Sequence, residues 1–209
     1  MGFSPVKKQL EKEPIKEAHQ QINQDSGNFE YYSPARFVDA ARAVMGDIDL
    51  DPASSLIANE RIKAKRIFTI EDNGLMNIWS GRVWMNHPFS KGEKKCHKNR
   101  DRCKKQICKD RGYHIDVDIP GNTQWINRMI AEYEKGYVTE AIMICYASTS
   151  ESWFRPLLNY LQCFIFGRVD YYDPQGKEIK GCPKGSVITY LGKNPEKFEE
   201  EFSKFGKVK

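Results

Sequence analysis

No run of apolar residues in this chain approaches the ~20 needed to cross a bilayer as a helix, so nothing in it reads as a membrane span. The N-terminus lacks the apolar core of a secretory signal peptide, and Val6 breaks the match to a myristoylation motif. Without a secretion signal, the six cysteines are not expected to pair as disulfides. Internal repeats are absent, which argues against solenoids and propellers. Residues 1–28 lack a sustained apolar face and read as a loose arm, partly helical around residues 6–22. These absences point to a cytoplasmic protein whose folded part spans 29–209.

What is present suits one α/β domain. The chain has 209 residues and is 40% hydrophobic and 29% charged, enough to bury a real core. Its net charge is +5, but the excess is local. Residues 91–114 hold ten Lys/Arg (Lys91, Lys94, Lys95, Lys98, Arg100, Arg102, Lys104, Lys105, Lys109 and Arg111) against Glu93, Asp101 and Asp110. That strip is therefore +7 and the remainder net acidic by two. Basic density of this kind is an electrostatic footprint for phosphate.

Ser33 and Pro34 read as the start of a helix whose apolar stripe is Phe37, Ala40, Ala41 and Val44, ended by Gly46. A strand running into a turn follows at Ile48 to Ala53, with Asp51 at its carboxyl end. A helix over 54–64, a strand over 66–70 and an Asn73-Gly74 turn come next. Val83-Trp84-Met85 is a buried strand. After a 91–121 insertion, 123–133 has helical spacing, and Ala141 to Tyr146 reads as another buried strand. Ser150 is placed to cap a helix carrying Trp153, Phe154, Leu157 and Leu158. Strands over 163–166 and 186–191 are expected to pair antiparallel, and Asn194-Pro195 opens a closing helix to Phe205.

Two constellations carry chemistry. Asn86-His87-Pro88-Phe89 follows the Val83 strand at the end where open α/β sheets bind ligands. An exocyclic base amine needs acceptors for two hydrogens and a flat surface for its ring. The Asn86 side chain, the His87 carbonyl and the Phe89 ring offer these, and Pro88 holds His87 extended. The other is Cys96-x6-Cys103-x4-Cys108-x5-His114 inside the basic strip, with His97 a competing ligand. Three thiolates and an imidazole suit tetrahedral zinc, which would give shape to a segment short of apolar residues. Cys145 and Cys163 lie in apolar runs and read as inert core thiols.

Taken in order, these pieces resemble a known family. The ordered set Tyr31-x-Ser33-Pro34, Asp49-Leu50-Asp51-Pro52-Ala53 and Asp72-Asn73-Gly74-Leu75-x3-Trp79-x-Gly81-x-Val83-Trp84-x-Asn86-x-Pro88-Phe89 is similar to the phage-type Dam family of DNA N6-adenine methyltransferases. Ala147-Ser148-Thr149-Ser150-x2-Trp153-Phe154 and Phe166-Gly167-Arg168 extend the likeness to about residue 206. The resemblance implies S-adenosylmethionine as methyl donor. It also implies a Rossmann-like sheet of seven strands, mostly parallel, with an antiparallel terminal hairpin. Asp51, Pro52 and Ala53 would line the donor pocket, Tyr31, Tyr32 and Ser33 would lie over it, and Asp72 would meet the donor's ribose or adenine. Asn86, His87, Pro88 and Phe89 would form the catalytic turn, and Ser148, Thr149 and Trp153 would line the target-base pocket. The target adenine, in DNA expected to be double-stranded, would be flipped out of the duplex or already single-stranded. Lys94, Lys95, Lys98, Arg100, Arg102, Lys104, Lys105, Lys109 and Arg111 would hold phosphates nearby. The setting would be the cytoplasm of a bacterial or phage-infected cell. One departure stands out: His87 occupies a position where the family usually has proline. Cytosine-N4 methylation fits the same geometry, and a non-catalytic DNA-binding protein of this fold is the other alternative.

Overall fold

The computed structural model describes residues 31–209; the expected 1–28 arm lies outside the described residues. Seven strands form one sheet in the order β2-β1-β3-β4-β8-β5-β9. They are β1 (Leu50–Asp51), β2 (Arg66–Ile67), β3 (Gly81–Met85), β4 (Val138–Tyr146), β5 (Leu161–Ile165), β8 (Ser186–Leu191) and β9 (Gly206–Val208). β1 pairs in parallel with both β2 and β3, and β3 in parallel with β4. β8 runs antiparallel between β4 and β5, and β9 antiparallel to β5. The sheet is thus mostly parallel with a reversed far side, as the sequence led one to expect. Separately, β6 (Tyr171–Tyr172) and β7 (Glu178–Ile179) form a two-stranded antiparallel ribbon turned by Asp173 to Gly176.

Helices cover both faces, which is why the inner strands are apolar on both sides. Trp84, Ile142, Ile144 and Ile188 point to one face, where α1 (Ala35–Met45), α2 (Leu56–Ile62) and α5 (Pro195–Phe202) pack through Phe37, Ala41, Ile62, Phe198 and Phe202. Val83, Met85, Ala141, Met143 and Cys145 alternate to the other, against Trp125, Ile126 and Met129 of α4 (Asn122–Glu134). At the far edge of this frame, Asp49 receives Arg82 through Nε at 2.7 Å, through Nη2 at 3.0 Å and through its backbone N–H at 2.9 Å. The Arg82 guanidinium holds the Asp49 carboxyl well below the usual carboxylate range. This pins β1 and β3 together at the ends opposite Asp51 and Asn86.

Several sequence expectations are corrected. Ser33 does not cap α1: Pro34 is the N-cap residue and the Ser33 hydroxyl is buried without a partner among the described residues. The cap of α2 is Ser55, whose Oγ accepts from the Ala58 N–H at 3.1 Å. Ser150 opens no α-helix. Residues Arg155–Asn159 form a 3₁₀ turn instead, with Leu157 N–H to Phe154 and Tyr160 N–H to Leu157 bonds, because Pro156 lacks the donor an α-helical ladder requires. The closing helix stops at Phe202, and the chain forms β9. A Cβ on Gly206 would stand 2.1 Å from the Phe164 carbonyl, so only glycine lets β9 approach β5. Among the described residues, no helix is long and apolar enough to cross a membrane.

Candidate active site and metal cluster

The sheet order reverses between β1 and β3: the chain leaves β1 for β2 on one side and returns to β3 on the other. Loops splay at such a switch point and leave a crevice. Asp51 ends β1 and Asn86 follows β3, so both stand at this crevice. Asp51 is 1% exposed, and its Oδ1 accepts from the Ala53 N–H at 3.2 Å. Burial pushes its pKa up to about 7, only partly offset by hydrogen bonds from Ser54 and Ala53. It has no ion-pair partner among the described residues. A buried carboxylate without a cation favours a positively charged ligand.

Tyr31 and Tyr32 form a strap across the crevice. Asn86 Nδ2 donates to the Tyr31 carbonyl at 2.6 Å. Tyr32 Oη meets Ser55 Oγ at 2.9 Å, and its backbone bridges to Tyr172. The strap thus joins the Asn86 turn to the loop after Asp51. Loop 72–75 packs on the other side of Asp51-Pro52: a Cβ on Gly74 would lie 1.9 Å from the Pro52 carbonyl. Asp72 is exposed there, its Oδ2 accepting from the Thr69 N–H at 2.8 Å and Oγ1 at 2.9 Å.

With Nδ2 committed to Tyr31, Asn86 presents Oδ1 on its other side. No described residue donates to that oxygen or to the His87 carbonyl. Phe89 lies in an aromatic wall with Tyr146 at 4.8 Å and Tyr171 at 6.1 Å between ring centroids. Lys184 stands over the Tyr146 ring at 5.5 Å. Ser148 and Trp153 are half-buried just beyond β4, and Thr149 is exposed. The sequence reading missed Tyr146, Tyr171 and Lys184. Tyr146 was legible as the carboxyl end of an inner strand, whereas Tyr171 and Lys184 reach the site only through the β6–β7 ribbon.

His87 turns away from the crevice. It is 1% exposed, and Nε2 lies 2.9 Å from Asn122 Oδ1. Burial pulls its pKa down to about 4, against the opposing Asn122 bond, so the ring is neutral at pH 7. Its imidazole is held by Asn122 and packed against Phe89 and Trp125.

The 91–121 segment is ordered around its cysteines, with a short helix, α3 (Gln106–Arg111), that the sequence reading did not anticipate. One ligand atom each from Cys96, Cys103, Cys108 and His114 lies within 4.8 Å of all the others. Cys108 Sγ is 3.3 Å from Cys96 Sγ and 3.8 Å from Cys103 Sγ. Tetrahedral thiolates with bonds of about 2.3 Å to zinc stand about 3.8 Å apart. His97 lies outside the cluster, and His114 Nδ1 is buried with no hydrogen-bond partner among the described residues. Around the cluster, Arg111 donates to Glu93 Oε2 at 2.9 Å and to Cys108 Sγ at 3.7 Å. A guanidinium beside a thiolate is the support a metal ligand wants.

The basic strip divides in two. Lys94 pairs with Asp118, Arg100 with Asp116, and Lys105 and Arg111 with Glu93. Lys91, Lys95, Lys98, Arg102, Lys104 and Lys109 are exposed and form no ion pair among the described residues.

A family model described as DNA N-6-adenine-methyltransferase (Dam) matches residues 23–203. No curated protein and no solved structure matches the chain. The match runs through the strap, Asp51, the Asn86 turn, the cysteine cluster and the closing helix. The chain belongs to the Dam family of DNA N-6-adenine-methyltransferases.

Proposed function

We propose that this protein methylates N6 of an adenine swung out of duplex DNA, using S-adenosylmethionine in a Rossmann-like crevice between β1 and β3. The observation that carries the reading is the Asn86 amide: with Nδ2 held by the Tyr31 carbonyl, Oδ1 is left without a donor among the described residues and available as an acceptor. The residues also fit the donor. Asp51 is a buried carboxylate without a counter-ion among the described residues, suited to the donor's ammonium, and the buried Ser33 hydroxyl, next to Tyr32 in the chain, has an unused hydrogen-bonding capacity. Pro52, Ala53, Tyr31, Tyr32 and Asp72 complete the proposed donor wall. S-adenosylmethionine supplies a methyl group activated by its sulfonium.

The protein's part is positioning and charge. Asn86 Oδ1 and the His87 carbonyl accept the two amine hydrogens. That pulls the nitrogen lone pair out of conjugation with the ring and towards the methyl. As the N6–methyl bond forms at the expense of the donor's S–methyl bond, N6 becomes positive, and the same two oxygens stabilise that charge until the extra proton is lost to solvent. Phe89 stacks on the base and fixes its plane, with Ser148, Thr149 and Trp153 around it. Pro88 restricts the backbone so that the His87 carbonyl holds its direction.

The Cys96, Cys103, Cys108 and His114 cluster fits structural zinc, which would hold the 91–121 insertion in shape. The six unpaired basic residues then lie on a shaped knuckle beside the acceptor turn, available for phosphates while the base enters. Replacing Asn86 with Ala tests the reading: methyl transfer should fall at least about a hundredfold, well beyond any loss of donor affinity from the freed Tyr31 strap. Undiminished transfer would remove Asn86 from the chemistry.

A further inference from the structure

The acceptor turn is tied to the metal cluster by a continuous ladder of backbone bonds. At its foot the Asn122 N–H donates to the Ser90 carbonyl at 2.8 Å. Next, Glu93 and Ile119 exchange both backbone hydrogen bonds at 2.8 Å, and then the Cys96 N–H donates to the Ile115 carbonyl at 2.9 Å. Cys96 is a cluster residue and Ile115 follows His114, another. The two arms of this stalk are close: a Cβ on Gly121 would stand 2.3 Å from the Lys91 carbonyl carbon.

Asn122 is the first residue of α4 and holds the turn twice. Its N–H binds Ser90 and its Oδ1 receives His87 Nε2 at 2.9 Å, with both side chains buried. The imidazole is wedged edge-on to Phe89 at 5.6 Å and against Trp125 at 6.4 Å, so its orientation is set from three sides. A proline at position 87 would fix the turn by its ring alone and would leave Asn122 Oδ1 without this donor.

We infer that His87 is a positioning residue whose imidazole, through Asn122, locks the methyl-acceptor turn to the base of the Cys/His knuckle. It does not touch the substrate. It sets the direction of the Asn86 side chain, the His87 carbonyl and the Phe89 ring. Asp51 and the 72–75 loop stand outside the lock, and the strap meets it only through the Asn86 Nδ2–Tyr31 bond. Breaking it therefore slows methyl transfer far more than it weakens donor binding. The inference rests on the methyltransferase reading above.

The test is a double-mutant cycle on the metal-loaded full chain, with single-turnover methylation of duplex DNA and separate titration of S-adenosylmethionine. His87→Ala and Asn122→Ala should each slow transfer about 10- to 100-fold, with donor Kd within about twofold of wild type. The double variant should be no slower than the worse single one, because both remove the same bond. His87→Gln, which still carries a donor for Asn122, should recover most of the rate. If His87→Ala does not fold, Asn122→Ser, too short to reach the imidazole, replaces it in the comparison. Multiplying losses, or donor affinity falling in step with rate, would overturn the inference while an active wild type kept the functional reading intact. A wild type that binds donor and DNA without turnover would overturn both.

Discussion

Asn86 Nδ2 donates to the carbonyl of Tyr31 at 2.6 Å, joining residues 55 positions apart. A carbonyl can only accept, so this contact decides which end of the amide is left for the substrate. Asn86→Ala removes the acceptor and should reduce methyl transfer by about 2.7–4 kcal/mol in barrier, the range for one transition-state hydrogen-bonding group. Asn86→Asp is more telling. It keeps an oxygen for the amine but turns another against the Tyr31 carbonyl, so the strap should loosen and donor Kd should rise. Isothermal titration of both variants separates the two roles; equal donor affinities would show that the strap does not depend on Asn86.

Asp51 gives the account a pH signature. Its folded pKa, about 7, is above the unfolded value of 3.8, so the folded state binds the extra proton between them. Stability therefore declines as pH rises through that window. Asp51→Asn should raise the thermal midpoint of the ligand-free protein at pH 8 and abolish donor binding. In the wild type, donor affinity should weaken as pH falls from 8 to 6, because the ammonium wants the ionised carboxylate. A donor Kd flat across that range would separate Asp51 from the donor.

His87 behaves in the opposite sense. Its folded pKa, about 4, lies below the ordinary 6.5, so the unfolded state binds more protons in between. The neutral imidazole's contribution is complete above pH 6.5 and is lost as pH falls toward 4. His87→Gln should show a shallower loss of thermal stability across that interval. Parallel melting curves for the two proteins would contradict it.

The cysteine cluster predicts about one zinc per chain by atomic emission, with release on chelation. Cys108→Ser should lose the metal and make 91–121 sensitive to protease, while the core of the sheet keeps its melting transition. A chain purified under metal-replete conditions with no zinc would remove this element.

Phosphate contact should reside in the unpaired cations. Lys98→Ala with Lys104→Ala should weaken DNA binding across unrelated sequences and reduce the salt slope by about two. Arg111→Ala should act differently. It removes one of the two cations on Glu93 and the guanidinium beside Cys108, and should show first as lost metal. An unchanged slope in the double variant would move the DNA surface elsewhere, with Lys184 above Tyr146 the next cation to replace.

The parts of this molecule that declare themselves in sequence do so through local constraint. Val83 to Met85 and Ala141 to Cys145 are apolar because both faces of an inner strand are covered. Asp51 ends a strand and Asn86 and Pro88 follow one, where a turn must come. β9 escaped because three residues of an edge strand carry no period, and its place depends on Gly206 fitting against Phe164. The helix expected after Ser150 failed because Pro156 outweighed an apolar spacing. His87 was legible as a departure but its partner was not. Asn122 lies beyond a 31-residue insertion (91–121), and only the folding back of that insertion brings them together. The split of the basic strip was equally hidden, because Asp116 and Asp118 neutralise cations distant in sequence.

The central claim is tested most directly by incubating the full chain with labelled S-adenosylmethionine and unmethylated duplex DNA, then identifying the modified nucleoside by mass spectrometry. The account predicts N6-methyladenine, abolished by Asn86→Ala. N4-methylcytosine, or no modified nucleoside from a protein that binds both donor and DNA, would contradict it.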